Sequence, residues 1–143
     1  PQEKETLFIR KKQKAIEQLV FQLDAEDFDQ ALRSTVLKIS FDGEQTVWTP
    51  LGDFFNIGVG LKTYQMWERA VQEDGTMICR WIMPYQHIAE LEIENMGKQD
   101  IQMSVTAKVM PYTWNDRSMY FHSSCVWMTL HLVSRCSIII WLM

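Results

Sequence analysis

The clearest strand pattern in the sequence is HIAELEIENMGKQDIQMSVTAKV, from His87 to Val109. Apolar residues alternate with glutamates in its first half, and with Gln, Ser, Thr and Lys in its second half. A period of two is the signature of a half-buried β-strand. We therefore predict two strands joined by the polar turn Asn95 to Asp100, and interpret them as an antiparallel hairpin with one solvated face. The predicted inward residues are Ala89, Leu91, Ile93, Ile101, Met103, Val105, Ala107 and Val109.

The same alternation recurs in the earlier part of the chain. The predicted core-facing residues there are Leu19, Phe21, Leu23, Leu37, Ile39, Phe41, Met77, Cys79, Trp81 and Met83. Asp42-Gly43 supplies a turn, and only Ala25 to Arg33 can form a helical turn or two. Many short strands separated by turns predict an all-β fold, an antiparallel β-sandwich of jelly-roll type, over residues 1–124.

Composition excludes several classes of protein. The chain has 143 residues, 22% of them charged, and a net charge of −4, which argues against a surface for nucleic acid or anionic membranes. It contains no run of 18 apolar residues, so we predict no transmembrane helix. Its three cysteines form neither a disulfide framework nor a metal motif, and Cys79 is expected to be a buried thiol. We predict no cofactor and no metal site.

The tail from Cys125 to Met143 does not fit the rest of the sequence. All 18 acidic residues precede residue 117, and the tail carries one formal charge, Arg135. The residues Trp127, Met128 and Thr129 must be encoded by TGG, ATG and ACN. When the reading frame is moved back by one base, the same DNA contains the codons GAT and GAC, which both encode aspartate. Our hypothesis is that residues 125–143 are read out of frame; a buried final strand and a membrane or sorting tail are the alternatives. An uninterrupted frame with the same tail in close relatives would disprove it.

Two segments contain candidate sugar-binding residues. In TVWTPLGDFFNIGVG, Thr46 to Gly60, Asp53 stands beside Phe54, and a sugar needs hydrogen-bond acceptors beside an apolar ring face. In MPYTWNDRSMYFHSS, Met110 to Ser124, Trp114 stands beside polar residues. The alternatives are a core phenylalanine, an aspartate that caps a turn and an ordinary loop before a strand.

Glu90, Glu92 and Glu94 share one strand face, at a spacing that would suit a pair of glycosidase carboxylates. A row of glutamates on a solvated strand usually serves solubility, and we favour that interpretation. His87 and His122 have no sequence-adjacent partner and are expected to be loop or surface residues. We therefore assign no catalytic residue.

Five short motifs, in order, resemble glycoside hydrolase family 172. They are FDGE (41–44), PLGDFF (50–55), MPY (83–85), LEIEN (91–95) and YFH (120–122). The resemblance spans roughly residues 15–124, and it departs from the family pattern at Asn56, where Gly is usual, and at Tyr85, where Phe is usual.

The resemblance implies a retaining glycosidase with two jelly rolls, assembled as trimers, that acts on fructofuranosyl or arabinofuranosyl linkages. It also implies export in a bacterium, to the periplasm or cell surface. The family's two catalytic glutamates lie in motifs similar to GEGD and GTGTED, and neither motif occurs in this sequence. We therefore expect an incomplete first jelly roll that is inactive alone. The alternatives are a non-catalytic carbohydrate-binding sandwich and a structural jelly roll that forms oligomers.

Overall fold

The computed structural model of the protein describes residues 3–57, 60, 62–126 and 135–137. That part of the chain is predominantly strand, with two short helices. The strands are β1 (Glu3–Ile9), β2 (Lys14–Ala25), β3 (Thr35–Phe41), β4 (Glu44–Pro50), β5 (Tyr64–Gln65), β6 (Arg69–Val71), β7 (Thr76–Cys79), β8 (Met83–Tyr85), β9 (Ala89–Asn95), β10 (Ile101–Pro111), β11 (Ser123–Val126) and β12 (Arg135–Ser137). The helices are α1 (Phe28–Ser34) and α2 (Leu51–Phe54).

The strands form two sheets, which confirms the predicted all-β sandwich. Sheet 1 has the order β1-β9-β3-β4-β11-β12, and sheet 2 has the order β10-β2-β7-β6-β5, with β8 also paired to β2. The pairs are antiparallel except for β4 with β11, which run parallel. The chain crosses between the sheets repeatedly, as in a jelly roll.

The apolar core lies between the two sheets, where the alternation places it. Leu19 and Phe21 of β2 and Leu37, Ile39 and Phe41 of β3 are fully buried. Cys79 is also fully buried, as expected, and burial raises the pKa of its thiol to about 12. This thiol is therefore protonated at neutral pH and is a packing group.

The interpretation of residues 87–109 as a hairpin is wrong. β9 pairs with β1 and β3 in sheet 1, whereas β10 pairs with β2 in sheet 2. The turn between them therefore carries the chain from one sheet to the other. The alternation of apolar and polar residues shows which side chains face an apolar layer. Two strands on opposite sides of one core show the same alternation as two neighbouring strands of one sheet.

The predicted core-facing residues Met77, Cys79, Trp81 and Met83 do not lie on a single strand. β7 pairs with the middle of β2, and β8 pairs with its start, so residues 80–82 leave the ladder. β2 is irregular at the same level, because its pairing with β10 shifts register between Lys108 and Val109. A bulge of this kind bends the strand.

The two helices pack against each other at one end of the sandwich. Asp27 accepts a hydrogen bond from the amide of Gln30 at 3.0 Å and so caps α1, within the predicted helical segment. α2 approaches α1 closely at Gly52, where an added Cβ would lie 3.2 Å from Leu32. The glycine of the PLGDFF motif thus permits this helix contact.

The out-of-frame hypothesis falls largely outside the described residues. Of residues 125–143, the structure describes the backbone of 125–126 in β11 and of 135–137 in β12. The proposed boundary after residue 124 stays a prediction. In the described part of the chain, no helix is both long and apolar enough to cross a membrane.

Candidate functional site

A densely hydrogen-bonded carboxylate belongs to Asp42, in the turn between β3 and β4. Asp42 and Gly43 have φ angles of +52° and +89°, so both adopt the left-handed conformation of a tight two-residue hairpin turn. This conformation suits glycine and is tolerated by aspartate. The Asp-Gly turn expected from the sequence is confirmed, and it aims the Asp42 side chain at the neighbouring loop.

That carboxylate accepts four hydrogen bonds. Three come from consecutive backbone amides of the link between β8 and β9: Gln86 at 2.8 Å, His87 at 2.7 Å and Ile88 at 3.0 Å. The fourth comes from the Tyr120 hydroxyl at 2.8 Å. The amide of Asp42 also donates to the Ile88 carbonyl at 2.9 Å. The side chain therefore joins a sheet 1 turn, the crossover from sheet 2 and the segment after β10.

The hydrogen bonds determine the charge state of the Asp42 carboxyl. Burial alone would raise its pKa, but the three amides and Tyr120 together hold the pKa below its usual value. Burial, together with the bond to Asp42, raises the pKa of Tyr120 to about 12. The pair is therefore an ionised acceptor and a neutral donor at neutral pH. This arrangement suits a structural clamp and not a proton-transfer pair, which needs a pKa near the working pH.

Aromatic rings stack around this clamp in a column. Phe41 stacks on Tyr85 with ring centroids 6.5 Å apart and on Tyr120 with centroids 6.0 Å apart. The ring of Trp114 packs against the same Tyr120, with ring centroids 4.9 Å apart and an angle of 41° between the ring planes. Trp114 is half-buried and ends the column toward the surface.

Trp114 lies in a loop that is closed by its own hydrogen bonds. The Ser118 hydroxyl accepts from the amide of Asn115 at 2.8 Å, and the Asn115 side chain accepts from the amide of Arg117 at 2.9 Å. Asn115, Asp116 and Arg117 are exposed. A partly open indole beside exposed polar groups, on a backing of stacked rings, can offer one face to a sugar.

Asp53 and Phe54 lie in α2, where the ring of Phe54 belongs to the core. Phe54 is 2% exposed and packs edge-on against Phe55 and Phe121. Contact between a sugar and this ring would require α2 to move. Asp53 is half-buried and has interactions of its own. The ring of Trp114 packs on Tyr120 instead, so among the described residues it shares no ring contact with Phe54. The role of all three predicted residues in sugar binding stays a prediction.

Two of the three glutamates of β9, Glu92 and Glu94, form ion pairs with lysines. Lys38 of β3 lies 2.8 Å from Glu92 and 2.6 Å from Glu94, and Lys4 of β1 lies 3.5 Å and 3.7 Å from the same two carboxylates. The hydrogen bonds from Lys38 lower the pKa of both glutamates. A retaining glycosidase needs one carboxyl with a raised pKa as its general acid, and neither glutamate is held in that state. Their face is also less solvated than predicted, because Glu94 is 7% exposed.

The Asn of the LEIEN motif shapes the turn after β9. Its side chain donates to the Gln99 carbonyl at 2.8 Å and accepts from the amide of Gly97 at 2.9 Å. The residue, Asn95, is 7% exposed. The amide of Met96 donates to the Ser34 carbonyl at 2.9 Å, which fixes the turn to the end of α1.

The Asp42 clamp is a feature that the sequence interpretation missed. The sequence predicts only a turn at Asp42, and it places Tyr120 only within a motif. The sequence contains one clue to the clamp, which is an aspartate followed by glycine at a turn. The amides that bind this aspartate belong to Gln86, His87 and Ile88, more than 40 residues from Asp42 in the sequence. Among the described residues, no three metal-ligating side chains form a group.

The fold places this chain among the β-sandwich proteins, an architecture that many unrelated functions share. The profile of the family described as GH172 domain-like matches residues 1–107. The chain therefore belongs to the GH172 domain-like family and is a glycoside-hydrolase-related domain, which confirms the resemblance for its N-terminal region. The YFH motif, 120–122, lies beyond the matched residues. No curated protein matches the chain.

The structure explains the departure from the family pattern at Asn56 and gives no explanation for the one at Tyr85. Asn56 has a φ of +54°, a conformation that glycine adopts freely and asparagine adopts more readily than most other residues. Tyr85 is fully buried, and its hydroxyl makes no hydrogen bond in the described structure. Phenylalanine would fill that position without an unpaired polar atom.

Proposed function

We propose that this chain is the N-terminal sandwich of a retaining glycosidase acting on furanosides, and that it does not turn over substrate as an isolated polypeptide. The observation that carries the proposal is the family match over residues 1–107. The motif residues support it, because the described contacts of Asp42, Tyr120 and Asn95 hold turns and loops together. The substrate class comes from the family resemblance, as fructofuranosyl or arabinofuranosyl linkages.

The lack of turnover follows from the carboxylates. The GEGD-like and GTGTED-like motifs are absent from the sequence. Glu92 and Glu94 lie two residues apart on β9, a spacing that a catalytic pair could use, but both are ion-paired to Lys38. Proton donation to a leaving group would require breaking that pairing.

The test is a furanosidase assay on the purified 143-residue chain. Chromogenic α-D-arabinofuranoside and a difructoside are the substrates, and release of free sugar is the readout. We expect no release above the buffer blank. Release that scales with protein concentration and disappears in Glu92→Gln or Glu94→Gln would contradict the proposal.

A non-catalytic carbohydrate-binding role is the second candidate, favoured by the half-buried Trp114 ring that packs against Tyr120 with its plane tilted by 41°. Its test is a glycan array with Trp114→Ala and Asp53→Ala. Trp67→Ala is the matched control, since Trp67 is 77% exposed and stacks on no ring among the described residues. Binding that is lost in Trp114→Ala and kept in Trp67→Ala would establish this role, and equal loss in both would reject it.

We also propose the trimer-based assembly that the resemblance implies for the parent enzyme. The support is a partly open apolar layer at one side of the sandwich, between β1 and β10. Sedimentation of the chain gives its mass: a discrete trimer would support this assembly, and a monomer at all concentrations would count against it.

A further inference from the structure

Two Asp-Gly pairs occur in the sequence, Asp42-Gly43 and Asp74-Gly75, and each lies in a turn between two strands. An aspartate before glycine is especially prone to rearrange into isoaspartate. The reason is that a glycine has no side chain to hinder the attack of its nitrogen on the aspartate carboxyl group. The two pairs are chemically alike, so the structure around each pair decides how fast it reacts.

The Asp42 carboxylate is held by groups from elsewhere in the chain. Its four hydrogen bonds come from the amides of residues 86–88 and from the Tyr120 hydroxyl, all more than 40 residues away in the sequence. The carboxyl group can turn toward the Gly43 nitrogen only when these bonds break together. The clamp therefore hinders the rearrangement at this pair.

The Asp74 carboxylate is bonded within its own turn. Its Oδ1 atom accepts from the amide of Thr76 at 3.0 Å, and no group outside the turn bonds to it among the described residues. An aspartate oxygen that binds the amide two residues on folds the carboxyl group back over the peptide between them. In this turn that peptide contains the Gly75 nitrogen, which is the attacking atom.

Little else in this turn opposes the reaction. Asp74 is exposed, so water reaches its carboxyl group. The Gly75 amide donates to the Gln72 carbonyl at 3.1 Å, and this bond must open before the nitrogen can attack. Exposed turns open locally far more often than contacts that join distant segments. The barrier from structure is therefore lower at Asp74 than at Asp42.

We infer that Asp74 is the site at which this chain forms isoaspartate, and that the clamp protects Asp42. The Gly75 nitrogen bonds to the side-chain carboxyl carbon of protonated Asp74, and the amide proton leaves with the carboxyl hydroxyl as water. The product is a five-membered succinimide ring. Water then breaks the bond between this nitrogen and the main-chain carbonyl carbon of Asp74. The backbone now runs through Cβ and Cγ, no oxidant is consumed, and the mass of the chain is unchanged.

The rearranged turn has one additional backbone atom next to a buried strand. All residues of β7, Thr76–Cys79, are buried, and β7 pairs with both β6 and β2. Gly75 also lies close to the Phe28 ring, which an added Cβ would approach to 3.4 Å. Isoaspartate at residue 74 should therefore weaken the pairing of β6 with β7 and lower the stability of the aged chain.

The test is to age the folded 143-residue chain at neutral pH and body temperature for several weeks and to digest it with trypsin. Cleavage after lysine and arginine places the two pairs in separate peptides, residues 39–62 and 70–80. An isoaspartate peptide elutes apart from the aspartate peptide of equal mass and resists a protease specific for aspartate. We expect isoaspartate to form at least about tenfold faster at residue 74 than at residue 42, because four hydrogen bonds to a charged group must open at Asp42.

Three controls assign the difference to the structure. In concentrated urea the two pairs should react at similar rates. Asp74→Glu keeps the charge but requires a six-membered ring, so it should abolish the modification at residue 74. Tyr120→Phe removes one bond of the clamp and should raise the rate at Asp42 without changing the rate at Asp74.

Equal rates at the two pairs in the folded chain would overturn the proposal. A folded chain without isoaspartate at residue 74, under conditions in which the unfolded chain forms it, would also overturn it. A rate that Tyr120→Phe raises equally at both sites, or at neither site, would reject the protection of Asp42 by the clamp.

Discussion

Single residues of the family motifs act through contacts that stabilise the fold. Asp42 of FDGE holds three amides of the β8–β9 link and the hydroxyl of Tyr120, which belongs to YFH. Tyr85 of MPY stacks on Phe41 of the first motif. Residues far apart in sequence therefore meet around one carboxylate, and their spacing along the chain gives no sign of it.

The Asp42 clamp predicts a specific pH dependence of stability. The pKa of Asp42 is lower in the folded protein than its value of about 3.9 in an unfolded chain. Its stabilisation is therefore complete above about pH 4 and is lost as the pH falls through the lower folded-state pKa. Asp42→Asn should lower the free energy of unfolding by about 2 kcal/mol at pH 7, because hydrogen bonds to a charged acceptor are lost.

Urea unfolding of both proteins between pH 2 and pH 7 checks this. The difference between the unaltered chain and Asp42→Asn should shrink as the pH falls below about 4. Glu92 and Glu94 also have lowered pKa values, but they are common to both proteins and cancel in the comparison. A difference that is constant across the range would mean that the carboxylate charge does not stabilise the fold.

The two tyrosines of the aromatic column predict opposite effects of the same change. Tyr85→Phe removes a buried hydroxyl that has no described partner, so it should raise the free energy of unfolding by about 1 kcal/mol. Tyr120→Phe removes the hydroxyl that donates to Asp42, so this change should lower the free energy of unfolding by about 1–2 kcal/mol. Chemical denaturation at pH 7 measures both, and destabilisation by Tyr85→Phe would show that its hydroxyl has a partner.

At the scale of elements, the turn between β9 and β10 connects the two sheets. Met96 binds the carbonyl of Ser34, and Asn95 holds the turn through Gly97 and Gln99. These contacts fix the turn to the end of α1, and β1 and β3 occupy the two edges of β9, so β10 has no edge of β9 to pair with. The alternating pattern predicts both strands and their inward faces, but it contains no information on the sheet to which each belongs.

The turn predicts a steric requirement at Gly97. A Cβ at this position would lie 2.6 Å from the Ser34 hydroxyl and 3.2 Å from the Asn95 side-chain oxygen. Gly97→Ala should therefore destabilise the fold by about 1–3 kcal/mol, the usual cost of inserting a methyl group into a packed site. Gly43→Ala is a useful comparison, because its added Cβ meets nothing within 4 Å and the cost there comes from the φ of +89°. An unchanged midpoint of denaturant unfolding in Gly97→Ala would show that the turn has room for the added methyl group.

For the whole molecule, the sequence predicts the fold class and the family, but it does not predict the order of the strands in the two sheets. The strand period predicts the sandwich, and the five motifs predict the family that the profile match shows. The sheet order could not be predicted, because it depends on crossovers such as the one at Asn95. The predicted sugar residues rest on residue type, and type does not distinguish the core ring of Phe54 from the half-buried indole of Trp114.

The Asp42 clamp connects the turn between β3 and β4 with the link between β8 and β9, so it holds the two sheets together. The most direct test is amide hydrogen exchange at Gln86, His87 and Ile88, measured by NMR at pH 7. All three lie in a short link between strands, and loop amides ordinarily exchange fast. We predict that these three amides are protected in the unaltered chain and exchange about a hundredfold faster in Asp42→Asn, as expected for the loss of about 2–3 kcal/mol of protection. Exchange at unprotected rates in the unaltered chain, or equal rates in both proteins, would contradict it.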